Sequence, residues 1–599
     1  MFLFHAVFLW ATAASASRFA IRTEGGPEPV PVVHDSSFVP DAILRVTHDK
    51  LQAACSPEKP SYLVNGTYPG PALRIPTGKT TWIRVYNDVE NHNLTMHWHG
   101  LSLAVSPFSD GTPQVSQWPI GPLHFFDYEM HVPEDRAGTY FYHSHVGFQA
   151  STAAGPLIVE DAIAPPYEYA EERIMFIGDI FDKTDEDIEK GLTSNPFVWS
   201  GEAAMVLLNG RGGGNNNGTF CNASLPVIDV KPDTTYRFRF IGATALSFVS
   251  LEVEGHDTFS VIEADGHYTQ PYDTPFMQVG PGQRFSALFK TLAQPEKSTY
   301  IIQMESRERP TVTRGFAILR YSDPEPNASS TNKFYPPEQQ PWQMCNTSTD
   351  WLEYELKPLV PIDFPTADKV TRTVTMTTHQ YQQGFITWRQ NGHPWTETYP
   401  QEPYLVSLYK SDHAEYPSME RALANDGIDP VTRVFPAQIG EIIDLVIQNT
   451  GSDNGGVDIH PFHVHGASIM DLGSGRGRYN ATENERKLIE LGVQPVYRDT
   501  TMLYRYGSKA PNGTAAGWRA WRMKVTQPGA WMIHCHILQH MVMGMQTVWV
   551  FGNETELLAS VPQPQIEGYL NYGGSAYGNS THDPVMVAFQ DGPAWTEGQ

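Results

Sequence analysis

Near its C-terminal end the chain reads His534-Cys535-His536-Ile537-Leu538-Gln539-His540, with Met545 shortly beyond. In an extended segment, neighbouring side chains leave opposite faces of the backbone. Cys535 therefore points one way while His534 and His536 point the other. Thiolate, imidazole and a distant thioether are the donors that electron-transfer copper prefers, so Cys535 and His540 can bind one ion with Met545 as a long ligand. The flanking histidines then reach a second metal centre through the same strand. Any fold that carries this run has to bring further ligands to both faces of it.

Those ligands are present. Three more His-X-His pairs occur: His97-Trp98-His99, His143-Ser144-His145, and His463-Val464-His465, the last preceded by His460. Together with His534 and His536 the four pairs supply eight imidazoles, which leaves His460, Cys535, His540 and Met545 for the separate site. A single pair is ordinarily two core or surface histidines; four pairs, one enclosing a cysteine, point to metal.

The 599 residues exceed what one hydrophobic core supports, and roughly two to four domains are expected. Strand-like runs recur at Thr81–Tyr86, Gly155–Val159, Tyr236–Phe240, Phe259–Glu263, Ile442–Ile447 and Gln546–Val550, separated by Gly, Pro and Asp turn signals. Long helical periods are scarce, so the pattern predicts all-β sandwiches. A rough internal repeat divides the chain into three pieces, about 35–160, 170–330 and 365–560, with junctions near 161–167 and in the Pro-, Asn- and Ser-rich stretch 323–340. Histidine pairs occur only in the first and third pieces. The middle piece is expected to hold the outer two in register around a shared metal cluster.

Acidic residues outnumber Lys and Arg by 66 to 41, a net charge of -25, which disfavours nucleic-acid or anionic-membrane partners. Residues 1–16 are apolar and end in Ala14-Ser15-Ala16, as a secretory signal does. No later apolar run is long enough to span a membrane, so a soluble secreted product is expected. Ten Asn-X-Ser/Thr acceptors (Asn65, Asn93, Asn217, Asn222, Asn327, Asn346, Asn480, Asn512, Asn553 and Asn579) agree with a secreted glycoprotein. With Cys535 committed to metal, Cys55, Cys221 and Cys345 allow at most one disulfide. The glycine-rich segment Gly212–Gly218 lacks the Lys-Ser/Thr of a phosphate-binding loop, and no Gly-x-Ser-x-Gly elbow is present.

The four histidine segments resemble the signature of the multicopper oxidases, most nearly the fungal laccase-like members with an ascorbate-oxidase-type layout. Val64-Asn65-Gly66-Thr67-Tyr68-Pro69-Gly70-Pro71, Leu208-Asn209-Gly210-Arg211-Gly212, Val261–Gly266 and Gly282-Gln283-Arg284 extend the resemblance over nearly the whole mature chain. It implies three cupredoxin-like Greek-key β-sandwich domains and four copper ions. Type 1 copper would lie on His460, Cys535 and His540 with Met545 axial, and type 2 on His97 and His463. The type 3 pair would lie on His99, His143, His145, His465, His534 and His536. In such enzymes a reductant gives single electrons at type 1 copper, they pass through the cysteine and its flanking histidines, and O2 is reduced to water. The resemblance also pairs Cys55 with Cys221, leaving Cys345 free.

Four departures from the family pattern stand out. Trp118 occupies a position where many relatives have cysteine. Leu538 replaces an acid three residues after the cysteine, so Asp110 is the remaining acid expected to serve catalysis alongside His534, Cys535 and His536. Gly466-Ala467-Ser468 replaces a frequent Gly-His, at a position that is not a ligand. The segment around Gly178–Asp182 lacks the tryptophans of ascorbate oxidases, and Trp388 is either a substrate-facing aromatic or a core residue.

The expected donor is a small phenol, polyphenol or naphthol, such as a pigment or secondary-metabolite precursor, with O2 as acceptor and the protein a monomer. Ascorbate is one alternative donor and Fe(II) another, the latter held by Asp179 and Asp182. A non-catalytic copper-binding cell-wall protein is the reading from a different class; it would require a missing ligand, and none is missing.

Overall fold

The computed structural model describes residues 38–560 apart from 55, 217–218, 222–224, 323–341, 398–401 and 411–414, together with Tyr569, Leu570 and Gly578. The expected signal segment, the Cys55–Cys221 bridge, the second junction, and the acceptors Asn217, Asn222, Asn327 and Asn579 lie outside those residues.

All six strand-like runs read from the sequence fall within strands. Three pairs of sheets follow one another along the chain, built on one plan. In the first sheet of each pair, the leading strand lies between an antiparallel and a parallel neighbour. Ala42–Leu51 sits between Lys59–Val64 and Thr80–Asn87. Glu171–Ile180 sits between Met205–Leu208 and Thr235–Gly242, and Arg372–Gln382 between Ile386–Gln390 and Ile442–Thr450. The second sheet of each pair also has a parallel edge: Leu73–Pro76 on Ala154–Glu160, Val227–Val230 on Arg314–Tyr321, and Phe435–Ala437 on Gln546–Phe551. A parallel neighbour cannot be reached by a tight hairpin and needs a crossover connection. Repeated three times, this makes three tandem cupredoxin-like β-sandwiches.

The alternation of strand side chains supplies both core and contacts between sandwiches. In Thr235–Gly242, Tyr236, Phe238 and Phe240 enter the core of the middle sandwich. Arg237 and Arg239 leave the other face, where Arg237 Nη2 donates to Glu263 Oε2 at 2.6 Å and Arg239 Nη1 to Thr139 Oγ1 at 2.9 Å. Glu263 in turn accepts from Thr139 N at 2.6 Å, in the strand that ends at His143. The first and third sandwiches share a hydrophobic core in which Val85, Leu94 and Trp98 pack with Leu405, Met532 and Val550. That shared core brings the two histidine-bearing sandwiches face to face. Among the described residues, no helix is long and apolar enough to cross a membrane.

Candidate metal centres

The strand Gly529–Cys535 pairs with His460–Val464 so that Phe462 stands opposite Cys535 and His463 opposite His534. Cys535 turns to one side, where its Sγ lies 3.7 Å from His460 Nδ1 and 3.6 Å from His540 Nδ1; those two nitrogens are 3.1 Å apart. His540 arrives on the short helix Leu538–Val542. Met545 is fully buried, and its backbone is tied to both neighbours: its N–H donates to His540 O at 3.0 Å and its carbonyl accepts from Cys535 N at 3.1 Å. Burial pushes the Cys535 thiol well up, so the thiolate forms when a cation binds beside it.

His534 and His536 turn to the other side and join the remaining pairs. His97–His99 is a strand paired with Gly138–His143, placing His97 opposite His143. His97 Nε2 lies 3.3 Å from His463 Nε2, and His465 Nε2 lies 3.1 Å from His534 Nε2 with His145 completing that group. His99 Nδ1 lies 3.4 Å from His143 Nε2 and 3.2 Å from His536 Nε2. All eight imidazoles are buried. The backbone of the middle sandwich also touches this cluster: a Cβ on Gly282, at φ +84°, would stand 2.9 Å from His99 Cε1 and His536 Cδ2.

The outward ring nitrogens show why the inward ones are free to bind. His97 Nδ1 donates to Asp110 O at 2.6 Å, His143 Nδ1 to Ser144 O at 2.8 Å, His463 Nδ1 to Asp499 O at 2.9 Å, and His534 Nδ1 to Cys535 O at 2.9 Å. With Nδ1 protonated, Nε2 is a bare lone pair. Burial keeps His97, His99, His465, His534 and His536 well below the usual imidazole range and brings His143 down to about 3. Unprotonated nitrogens facing one another at 3.1–3.4 Å repel unless a cation lies among them. An imidazole-rich donor set with one thiolate suits copper, and the clusters suit several such ions.

Asp110 closes the 3-10 turn Pro107–Asp110. Its carbonyl holds His97, while its Oδ2 lies 2.9 Å from His465 Nδ1 and accepts from Thr112 Oγ1 at 2.6 Å. One residue thereby orients histidines from the first and third sandwiches. Burial pushes its carboxyl up to about 7 against the pull of Thr112.

Asp499 was not legible in the sequence. Its Oδ1 lies 3.3 Å from His463 Nδ1 and 3.4 Å from His99 Nε2. Burial would raise this carboxyl, but Arg284 outweighs it and holds it far below the usual range. Asp458 was missed as well; its Oδ2 lies 3.5 Å from His540 Nε2 and 3.5 Å from Arg309 Nη1. Its only sequence signal is proximity to His460.

Trp388 proves to be a core residue, buried with its ring 4.7 Å from His460 and 4.9 Å from His540. Asp179 is not available to iron: its two oxygens accept from the consecutive amides of Ala245, Leu246 and Ser247 at 2.7, 3.1 and 2.9 Å. Asp182 is exposed at the end of that strand. Leu538 is buried among Phe148, Ile188 and Leu192. Trp118 is buried as well, and its Nε1 donates to Leu570 O at 3.5 Å.

Three segments match multicopper oxidase families: residues 45–163, 171–324 and 397–554. The chain is 44% identical to a laccase-like multicopper oxidase 1 of Thermothelomyces thermophilus, covering 94% of each chain. It is 46% identical to the multicopper oxidase aurL2 of Gibberella zeae, covering 92% of this chain and 95% of that one. Among solved structures it superposes on Fet3p, a multicopper oxidase that functions in iron import, with a TM-score of 0.68 at 21% identity over 88% of this chain and 93% of that one. That last likeness speaks to the fold alone.

Proposed function

The chain belongs to the multicopper oxidase family, and from that premise we propose that it is a laccase-like oxidase that takes single electrons from phenols and reduces O2 to water. The observation that carries this reading is the placement of Cys535. Its side chain lies in the smaller centre, while the neighbours on either side of it, His534 and His536, lie in the larger one. One strand therefore links the two by covalent bonds.

In this reading His460, Cys535 and His540, with Met545 beside them, would hold type 1 copper, and His97 and His463 would hold type 2. His99, His143 and His536 hold one type 3 ion; His145, His465 and His534 hold the other. Bound copper would supply the one-electron steps and the site at which O2 is reduced. The protein's own part is placement and protons. Asp458 Oδ2, beside His540 Nε2, accepts the proton a phenol releases as it loses an electron. Asp110, with a carboxyl near neutrality, carries protons to the larger cluster, where Leu538 offers none. Trp388 packs its ring against both His460 and His540. Domain limits of 35–160, 170–330 and 365–560, a monomeric state and export through a cleaved segment 1–16 complete the reading.

The test is O2 consumption by copper-loaded protein with a methoxyphenol or naphthol, ascorbate, and Fe(II) in parallel. Preference for the phenol or naphthol supports the reading. Dominance of ascorbate or Fe(II) would overturn the substrate class while leaving the copper centres in place.

A further inference from the structure

Each imidazole of the larger cluster turns one nitrogen inward and needs an acceptor for the other. His97, His143, His463 and His534 use main-chain carbonyls, His465 uses Asp110, and His99 turns Nε2 to Asp499 Oδ1 at 3.4 Å. His145 and His536, and His99 as well because its contact with Asp499 is not a hydrogen bond, are left with outward nitrogens that are buried and unpartnered among the described residues. For His145 a free acceptor stands opposite. Glu397 Oε1 lies 3.9 Å from His145 Nδ1, and that oxygen is itself buried without a partner. The other oxygen, Oε2, accepts from Gly147 N at 2.9 Å, so the carboxylate is anchored by the turn that follows His145.

A second carboxylate stands beside it. Glu189, from the helix Asp185–Leu192 of the middle sandwich, accepts from Phe148 N, the next amide along. Two charged carboxylates on consecutive amides would repel. Burial, and after it the charge of Glu397 against the pull of the Phe148 amide, pushes Glu189 up to about 8. Glu189 thus keeps its proton at neutral pH. Leu538, three residues past Cys535, packs in the same hydrophobic cluster as Phe148 and Ile188. At this side of the cluster the carboxylates arrive from two remote segments of chain.

We propose that Glu397 is the positioning residue of His145: it accepts the imidazole Nδ1–H and leaves Nε2 bare for the metal. At 3.9 Å the contact is too long for a direct hydrogen bond, and one water or a small closure on metal binding completes it. A carboxylate behind a ligating histidine fixes its tautomer and raises its basicity. The inference rests on the reading of His145 as a ligand of the type 3 pair.

Glu397→Gln tests it. A glutamine offers one oxygen and one NH2, so with the oxygen on Gly147 N–H the group left facing His145 Nδ1–H is itself a donor. The variant should keep its fold by circular dichroism and the blue absorption of the Cys535 centre. It should lose the near-ultraviolet band of the coupled copper pair and bind that copper about 10- to 100-fold more weakly in a chelator titration. Glu189→Gln, which replaces one neutral group by another of the same shape, should leave the band unchanged. A merely structural role for Glu397 would lower stability without separating the two absorptions. Glu397→Gln with a wild-type band and copper content would falsify the inference. If that variant does not fold, Glu397→Asp, which keeps two acceptor oxygens on a shorter stem, takes its place. A weakened band beside an intact blue one supports the proposal, and an unchanged band overturns it. Wild-type protein without a coupled-pair band would instead overturn the reading of the cluster itself.

Discussion

Arg284, from the middle sandwich, grips both oxygens of Asp499, from the third, at 2.5 and 2.6 Å. Asp499 in turn holds His463 through its carbonyl and faces His99 through its carboxylate. A sandwich with no histidine pair of its own therefore supports imidazoles from both of the others. Arg284→Met leaves the Asp499 carboxylate buried and uncompensated, which costs about 3–5 kcal/mol. Chemical denaturation of the copper-free protein measures that loss, and in the proposed arrangement copper at His97 and His463 should be the first to leave.

Cys535→Ser removes the thiolate from the smaller centre and spares the eight imidazoles. The blue absorption should vanish, metal analysis should show the larger cluster still loaded, and phenol-dependent O2 uptake should fall to background. Retention of phenol oxidation would mean that electrons enter elsewhere.

Asp458→Asn keeps the size of the side chain beside His540 and removes its basicity. kcat/KM for a methoxyphenol should fall roughly tenfold or more, while oxidation of hexacyanoferrate(II), which releases no proton, stays near wild type. Equal losses for both donors would assign Asp458 to structure rather than to proton uptake.

Glu189 makes stability depend on pH. Its native carboxyl holds a proton up to about pH 8, against an ordinary value of 4.5. Between those values the unfolded chain binds fewer protons than the native one, so this group's contribution to stability is present at low pH and is lost as pH rises through the window. The slope is at most about 1.4 kcal/mol per pH unit. Glu189→Gln should flatten the dependence between pH 4.5 and 8, as read from denaturant midpoints.

Copper binds the native state, so its removal should destabilise the fold by mass action. Dialysis against a chelator should lower the thermal midpoint, and stoichiometric copper should restore it together with the blue colour.

The ligand segments were legible in the chain because the relevant geometry is local. Strand alternation separates Cys535 from His534 and His536 whatever the rest of the molecule does. Likewise the His-X-His spacing turns both members of each pair to one face. The three sandwiches were legible for a related reason: apolar alternation between turn residues repeats three times. What supports the ligands was not. Asp499, Glu397 and Asp458 belong to residue types too common to single out in a chain with 66 acids, and Arg284 was marked only by the Gly282-Gln283-Arg284 resemblance, with nothing to name its partner. Their partners are remote in sequence, Arg284 and Asp499 being 215 residues apart. Trp388 was ambiguous, and the packing against His460 and His540 decided it. Backbone periodicity and donor chemistry, both properties of short segments, determined which residues gather into the two clusters. Only tertiary packing, through burial and the pairing of distant side chains, decided which groups orient those ligands and which acids keep their protons.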